Sequence, residues 1–66
     1  MTIRFIRRKN GKEIVNDLVK NKVIIKNCFE FCIKSVKKRV DNFLNNNSKQ
    51  LTLHFGNETI VLKRED

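Results

Sequence analysis

Residues 51–62 carry the clearest pattern in the chain: Leu51-Thr52-Leu53-His54-Phe55 and Glu58-Thr59-Ile60-Val61-Leu62 are two alternating runs separated by Gly56-Asn57. Period-two alternation places successive side chains on opposite faces of a strand. A two-residue loop containing Gly is the mark of a tight hairpin with a primed turn. That loop sets Phe55 opposite Glu58, Leu53 opposite Ile60 and Leu51 opposite Leu62. Leu51, Leu53, Phe55, Ile60 and Leu62 then share one face, and Thr52, His54, Thr59, Val61 and Lys63 share the other. A slip of one residue would turn the apolar set towards water, so the register is firmly specified. Residues 2–8 alternate in part, with Ile3 and Phe5 against Arg4, Ile6 and Arg8, and predict a first strand.

Between these strands the apolar positions follow a helical period. They recur at 14, 15, 18, 19, 25, 29, 32, 36, 40 and 43, which fits 3.6 residues per turn. Asn10 and Glu13 have the spacing of a capping box, so a helix is expected to begin near residue 11. One rod over 11–46 would be about 50 Å long, against about 20 Å for a six-residue strand. The polar stretch Lys20-Asn21-Lys22 is the natural break, because Asn tolerates the left-handed conformation that ends a helix. A short helix over 11–20 and a long one over 23–46 follow, the second ended by the Asn- and Ser-rich segment 45–48. The expected fold is one α+β domain spanning 1–66: N-terminal strand, short helix, long helix and C-terminal β-hairpin. Its three-stranded, mainly antiparallel sheet would pack on the helices with one face and meet solvent with the other.

The stretch from Val23 to Val36 is the most apolar in the chain. Lys26, Asn27, Glu30 and Lys34 interrupt it, so no run approaches the 18 or more residues of a membrane span. The N-terminal residues lack the apolar segment of a secretory signal. A cytoplasmic location is expected, with no membrane partner. On a helical wheel Ile25, Phe29, Cys32, Val36, Val40 and Phe43 form a core stripe. Ile24, Cys28 and Phe31 fall outside it, with Lys26, Lys34, Lys37 and Lys38 between. A helix apolar on two sides is normally sandwiched; unless the short helix covers the second side, Ile24, Cys28 and Phe31 form an association surface. A homodimer would suit a chain this short, which buries only about 60% of its unfolded surface by itself. Cys28 and Cys32 stand one helical turn apart and read as small buried hydrophobes. Regular helix geometry and a reducing compartment argue against a disulfide. With His54 they make three metal-ligand candidates where structural zinc wants four, so neither metal nor cofactor is expected.

Charge changes the functional picture more than the fold. Fifteen Lys and Arg against seven Asp and Glu give +8 at pH 7. Such a surface attracts polyanions, so nucleic acid is the first partner class and an acidic protein surface the second. The composition has a competing origin: no Ala, no Pro, nine Asn and ten Lys is also what an AT-rich coding sequence produces. The basic groups cluster at Arg7, Arg8 and Lys9, and again at Lys34, Lys37, Lys38 and Arg39, and these seven are the candidate phosphate contacts. Phosphate contacts supply affinity and salt dependence without sequence reading. No aromatic interleaves with them as in a single-strand binder, since Phe5 and Phe55 read as core. One His, no nucleophile motif, no Gly-rich phosphate loop and no paired carboxylates argue against an enzyme. The expectation is a small basic accessory or regulatory protein of phage or mobile-element type that binds nucleic acid through phosphates, as a homodimer. The alternative is an inhibitor or adaptor that docks on an acidic surface of a larger host protein.

Overall fold

Asn10 and Gly11 decide the N-terminal half of the molecule. In the computed structural model, which describes residues 1–65, both have positive φ, 53° and 79°. Positive φ at both central residues is the type I′ turn, whose twist matches that of the strands it joins. It connects β1 (Ile3–Lys9) to β2 (Lys12–Val19). Residues 12–19 are therefore a strand, and the short helix expected over 11–20 does not form. Asn10 turns the chain instead of capping a helix. Ile14, Val15, Leu18 and Val19 have helical spacing, but the same spacing arises in a strand that is apolar on both faces. Val15 and Val19 pack against the core, while Ile14 and Leu18 are each 50% exposed. A register shift opposite Arg7 and Arg8 leaves Ile14 as the extra residue of a bulge, which further blurs the alternation.

The long helix expected over 23–46 is two helices. α1 covers Lys22–Cys28 and α2 covers Lys34–Asn45, joined through Phe29–Ile33. A 24-residue helix is about 36 Å long, whereas strands of seven residues span about 24 Å. An unbroken rod would carry its second half beyond the sheet. Breaking after Cys28 lets Ile25 and Phe29 reach one end of the core and Val40, Phe43 and Leu44 the other. Asn21 does mark a boundary, but as the N-cap of α1: its Oδ1 accepts from the Val23 amide at 2.9 Å.

β3 (Gln50–Phe55) and β4 (Glu58–Arg64) form the C-terminal hairpin in the expected register, with Leu51, Leu53 and Phe55 opposite Leu62, Ile60 and Glu58. Gly56 has φ 59°, the first central position of a type II′ turn. β4 also pairs with β1. The sheet is four-stranded and antiparallel in the order β2-β1-β4-β3, which replaces the expected three strands. The fold remains α+β. The two turns lie side by side: the Asn10 amide donates to Asn57 O at 3.0 Å, and Asn57 Nδ2 donates to Asn10 Oδ1 at 2.9 Å. Both helices pack on one sheet face, where Ile3, Phe5, Ile25, Phe29, Val40, Phe43, Leu44, Leu53 and Leu62 form the core. Ile6 and Val61, directly paired on the other face, are also buried. Among the described residues no helix is long and apolar enough to cross a membrane.

Candidate nucleic-acid interface

The fold separates the cations into two groups with different surroundings. Residues 20–46, the helical layer, hold Lys20, Lys22, Lys26, Lys34, Lys37, Lys38 and Arg39 against Glu30 and Asp41: seven cations, two carboxylates, net +5. Among the described residues the rest of the chain holds the other eight cations with four carboxylates, and several of these cations already have partners. Arg7 Nη2 meets Glu58 Oε1 at 2.6 Å. Arg4 is held by Glu65 and by Asn16. The hydrogen bond that Arg4 donates to Glu65 raises the Arg4 guanidinium pKa above its ordinary value, opposed by burial and aided by the Glu65 and Glu13 charges. Arg4 is thus a cation at every physiological pH.

Arg64 is a structural group. Its Nη2 donates to Phe43 O at 2.8 Å and Asn46 O at 3.1 Å, and its Nε to Ser48 O at 3.1 Å. The guanidinium lies 5.1 Å from the Phe43 ring centroid. The last carbonyls of a helix have no partner within it, and Arg64 answers that need for α2.

Strand alternation also divides Arg7, Arg8 and Lys9. Arg7 is opposite Val15 and Ile60 on the helix-covered face, and Arg8 is opposite Thr59 on the open face. Lys9 returns to the side of Arg7, beside Lys12 and Glu58 at the turn end. The cluster read from the sequence is therefore dispersed. Arg8 faces away from α2, and the two groups of candidate contacts do not meet.

α2 keeps its cations together. Val36, Val40, Phe43 and Leu44 turn inwards, so Lys34 and Lys38 occupy the outer face, one turn apart. Lys37 lies on the flank towards α1, lining a hollow of about 280 Å³ with Lys26, Asn27, Glu30 and Asp41. Lys26 Nζ is 3.6 Å from Asp41 Oδ1, so this hollow is nearly neutralised. Arg39 lies on the opposite flank above β3 and donates to Thr52 O at 3.3 Å. Among the described residues Lys34, Lys37 and Lys38 make no ion pair or side-chain hydrogen bond. The first turn of α2 has no carboxylate, and Ile33 offers no side-chain cap.

The apolar candidates lie on the other border of the helical layer. Ile24 is 52% exposed. Cys28 is exposed and Cys32 partly buried, both as free thiols, so the buried position expected for Cys28 is not what the fold provides. Both cysteines line a groove of about 390 Å³ over the uncovered end of the sheet, floored by Phe5, Arg7, Val15, Phe55 and Ile60. Phe31 is 98% exposed and Ile33 is 70% exposed. Phe31 is one of the residues that the helical wheel sets outside the core stripe, whereas Ile33 is exposed by the break at Phe29–Ile33 and is not singled out by a continuous helix. His54 sits on the open sheet face beside Thr59, away from the cysteines. Among the described residues no three His, Cys, Asp or Glu side chains gather as a metal site. In comparisons with protein families, curated proteins and solved structures, no match was found.

Proposed function

We propose that this chain binds nucleic acid through phosphate contacts made by the outer surface of its helical layer. The observation that carries the reading is the setting of Lys34, Lys37 and Lys38. Lys34 and Lys37 lie in the first turn of α2, where the helix dipole already disfavours cations by about 0.3–1 kcal/mol each, and Lys38 follows directly. Lys34 and Lys38 are neighbours at i and i+4, a further like-charge cost of about 0.2–0.5 kcal/mol. No carboxylate stands in that turn to relieve either. A positive helix end ringed by unpaired lysines is arranged for an external anion, and amides and dipole add to the attraction. Arg39 and the α1 lysine Lys22 extend the field along the layer, while Lys26 is engaged with Asp41. On the sheet, Arg8 and Lys9 keep free charge but point elsewhere, and Arg7 is engaged with Glu58.

The test is a fluorescence-anisotropy titration with a generic 20-mer duplex at several salt concentrations. Four phosphate contacts, from Lys34, Lys37, Lys38 and Arg39, give a log–log salt slope near −3.6, or roughly a 100-fold loss of affinity between 50 and 200 mM. The double variant Lys34→Gln, Lys38→Gln loses about two units of slope. Absence of binding at 50 mM salt, or a slope that the variant leaves unchanged, rejects the proposal.

A second reading, docking on an acidic surface of a larger protein, draws on the groove beneath Cys28 and Cys32. An apolar centre with a basic rim is the usual layout of such a contact. Protein partners that stay bound after nuclease treatment of a pull-down would favour it over the first.

A further inference from the structure

Phe31 is the side chain that the fold leaves most conspicuously unused. It lies in the connection between α1 and α2, where the Cys32 amide donates to Phe29 O at 3.1 Å. That tight turn sends Phe29 into the core, 1% exposed, and sets Cys32 against the core's edge. Phe31, between them, is thrown outwards and is 98% exposed. Its neighbour Ile33 is 70% exposed, so folding leaves Phe31 fully hydrated and most of Ile33 as well. Exposed apolar groups that adjoin one another mark a contact surface.

The surroundings say what kind of partner fits. α2 begins at Lys34, directly after this connection, and its first turns carry Lys34, Lys37 and Lys38 with no carboxylate in the first turn. Glu30 is the one acidic residue of the connection, and it lines the hollow shared with Lys26 and Lys37. A second copy of this chain is a poor occupant, because a two-fold contact through Phe31 would press two lysine clusters together. The occupant has to be anionic and must also present a flat apolar face. An unpaired nucleobase beside its phosphate has both properties, and aromatic stacking combined with basic contacts is how single strands are held without sequence preference.

We infer that Phe31 is a stacking platform for an unpaired base of single-stranded nucleic acid whose phosphates are held by Lys34, Lys37 and Lys38. This rests on the phosphate-binding reading and narrows it to the single-stranded class. In a duplex the base faces are buried against each other, so Phe31 has nothing to stack on and the lysines act alone.

The experiment compares a fluorescent 20-mer single strand with its duplex, at 50 mM salt, against four forms of the full chain. For wild type, the single strand binds more tightly than the duplex. Phe31→Ala weakens single-strand binding about tenfold or more and leaves duplex binding unchanged. Phe31→Leu, apolar but not planar, loses nearly as much as Phe31→Ala. The chain has no Trp, so Phe31→Trp supplies a single reporter whose emission is quenched by the single strand and not by the duplex. Equal loss on both nucleic acids, or full retention by Phe31→Leu, overturns the stacking role while the phosphate reading stands. A Trp blue shift on phosphatidylserine vesicles without quenching by the oligonucleotide assigns Phe31 to a membrane surface and also overturns it. If neither nucleic acid binds wild type, the phosphate reading itself falls.

Discussion

Arg64 should be far more important to stability than its place in a basic, C-terminal, exposed-looking stretch suggests. Replacing it with Met keeps the aliphatic stem and removes every polar contact. The bond to Phe43 O is partly buried, so its loss strands a helix-end carbonyl, at about 1.5–2 kcal/mol. The bonds to Asn46 O and Ser48 O are exposed. Water replaces them, and each contributes about 0.5 kcal/mol. Loss of the guanidinium over the Phe43 ring adds about 0.5–1 kcal/mol. The total is about 3–4 kcal/mol, from a domain of this size whose whole stability is of order 3–10 kcal/mol. Urea unfolding followed by far-UV circular dichroism reads it as a midpoint shift of about 2–3 M, at the low slope expected for a small protein. Arg64→Lys should recover only about 1 kcal/mol, because an ammonium cannot reach three carbonyls in one plane. The same variant, measured where it is folded, should bind duplex with wild-type affinity, since Arg64 is committed to α2 and not to phosphate. A loss below 1 kcal/mol for Arg64→Met, or a Lys variant as stable as wild type, would refute this reasoning.

Two further outcomes are expected. Among the described residues the Arg7 Nε has no hydrogen-bond partner, and the guanidinium's pairing with Glu58 is part-exposed, so replacing both groups by uncharged ones, as in Arg7→Met with Glu58→Gln, should be neutral to within about 1 kcal/mol in urea melts; a loss above about 2 kcal/mol would contradict it. Gly56→Ala should cost about 1–2 kcal/mol through its left-handed backbone alone, because an added Cβ meets nothing within 4 Å; a larger loss would mean that the turn packs against something.

The two hairpins show what made one half of the fold readable and the other not. Residues 51–55 alternate strictly and the apolar residues of 58–62 complement them across the loop, so the turn at Gly56-Asn57 and the pairing of Leu53 with Ile60 confirm each other. At Asn10 two local signals compete. Asn10-Gly11 is a strong type I′ turn signal, yet Asn10 with Glu13 also has capping-box spacing. Local chemistry allows both, and the choice is made by the sheet. Without β2, the second edge of β1 would be unpaired. An edge strand with a bulge at Ile14 and apolar residues on both faces carries no clean period of its own. In the helical region the phase survived although the continuity did not: Ile25, Phe29, Val40 and Phe43 are core residues as the wheel predicts, because the connection at Phe29–Ile33 returns the chain to the same sheet face.

The same geometry explains why adjacency in sequence is a poor guide to a phosphate-binding surface. Successive residues of a strand point to opposite faces, so Arg7-Arg8-Lys9 cannot act as one patch, and its first member sits next to a cross-strand Glu58. On α2, Lys34, Lys37 and Lys38 remain on the half of the helix that the core does not use. The difference lies in the secondary structure and not in the number of charges. A charge-neutralising scan should therefore divide the seven candidates: Lys34→Gln, Lys37→Gln and Lys38→Gln should each weaken duplex binding and reduce the salt slope by about one unit. Arg7→Gln should do neither, because its charge is already spent on Glu58. If Arg7→Gln weakened binding as much as Lys34→Gln, the surface would have to include the sheet's uncovered end, and the helical layer would lose its claim to be the contact.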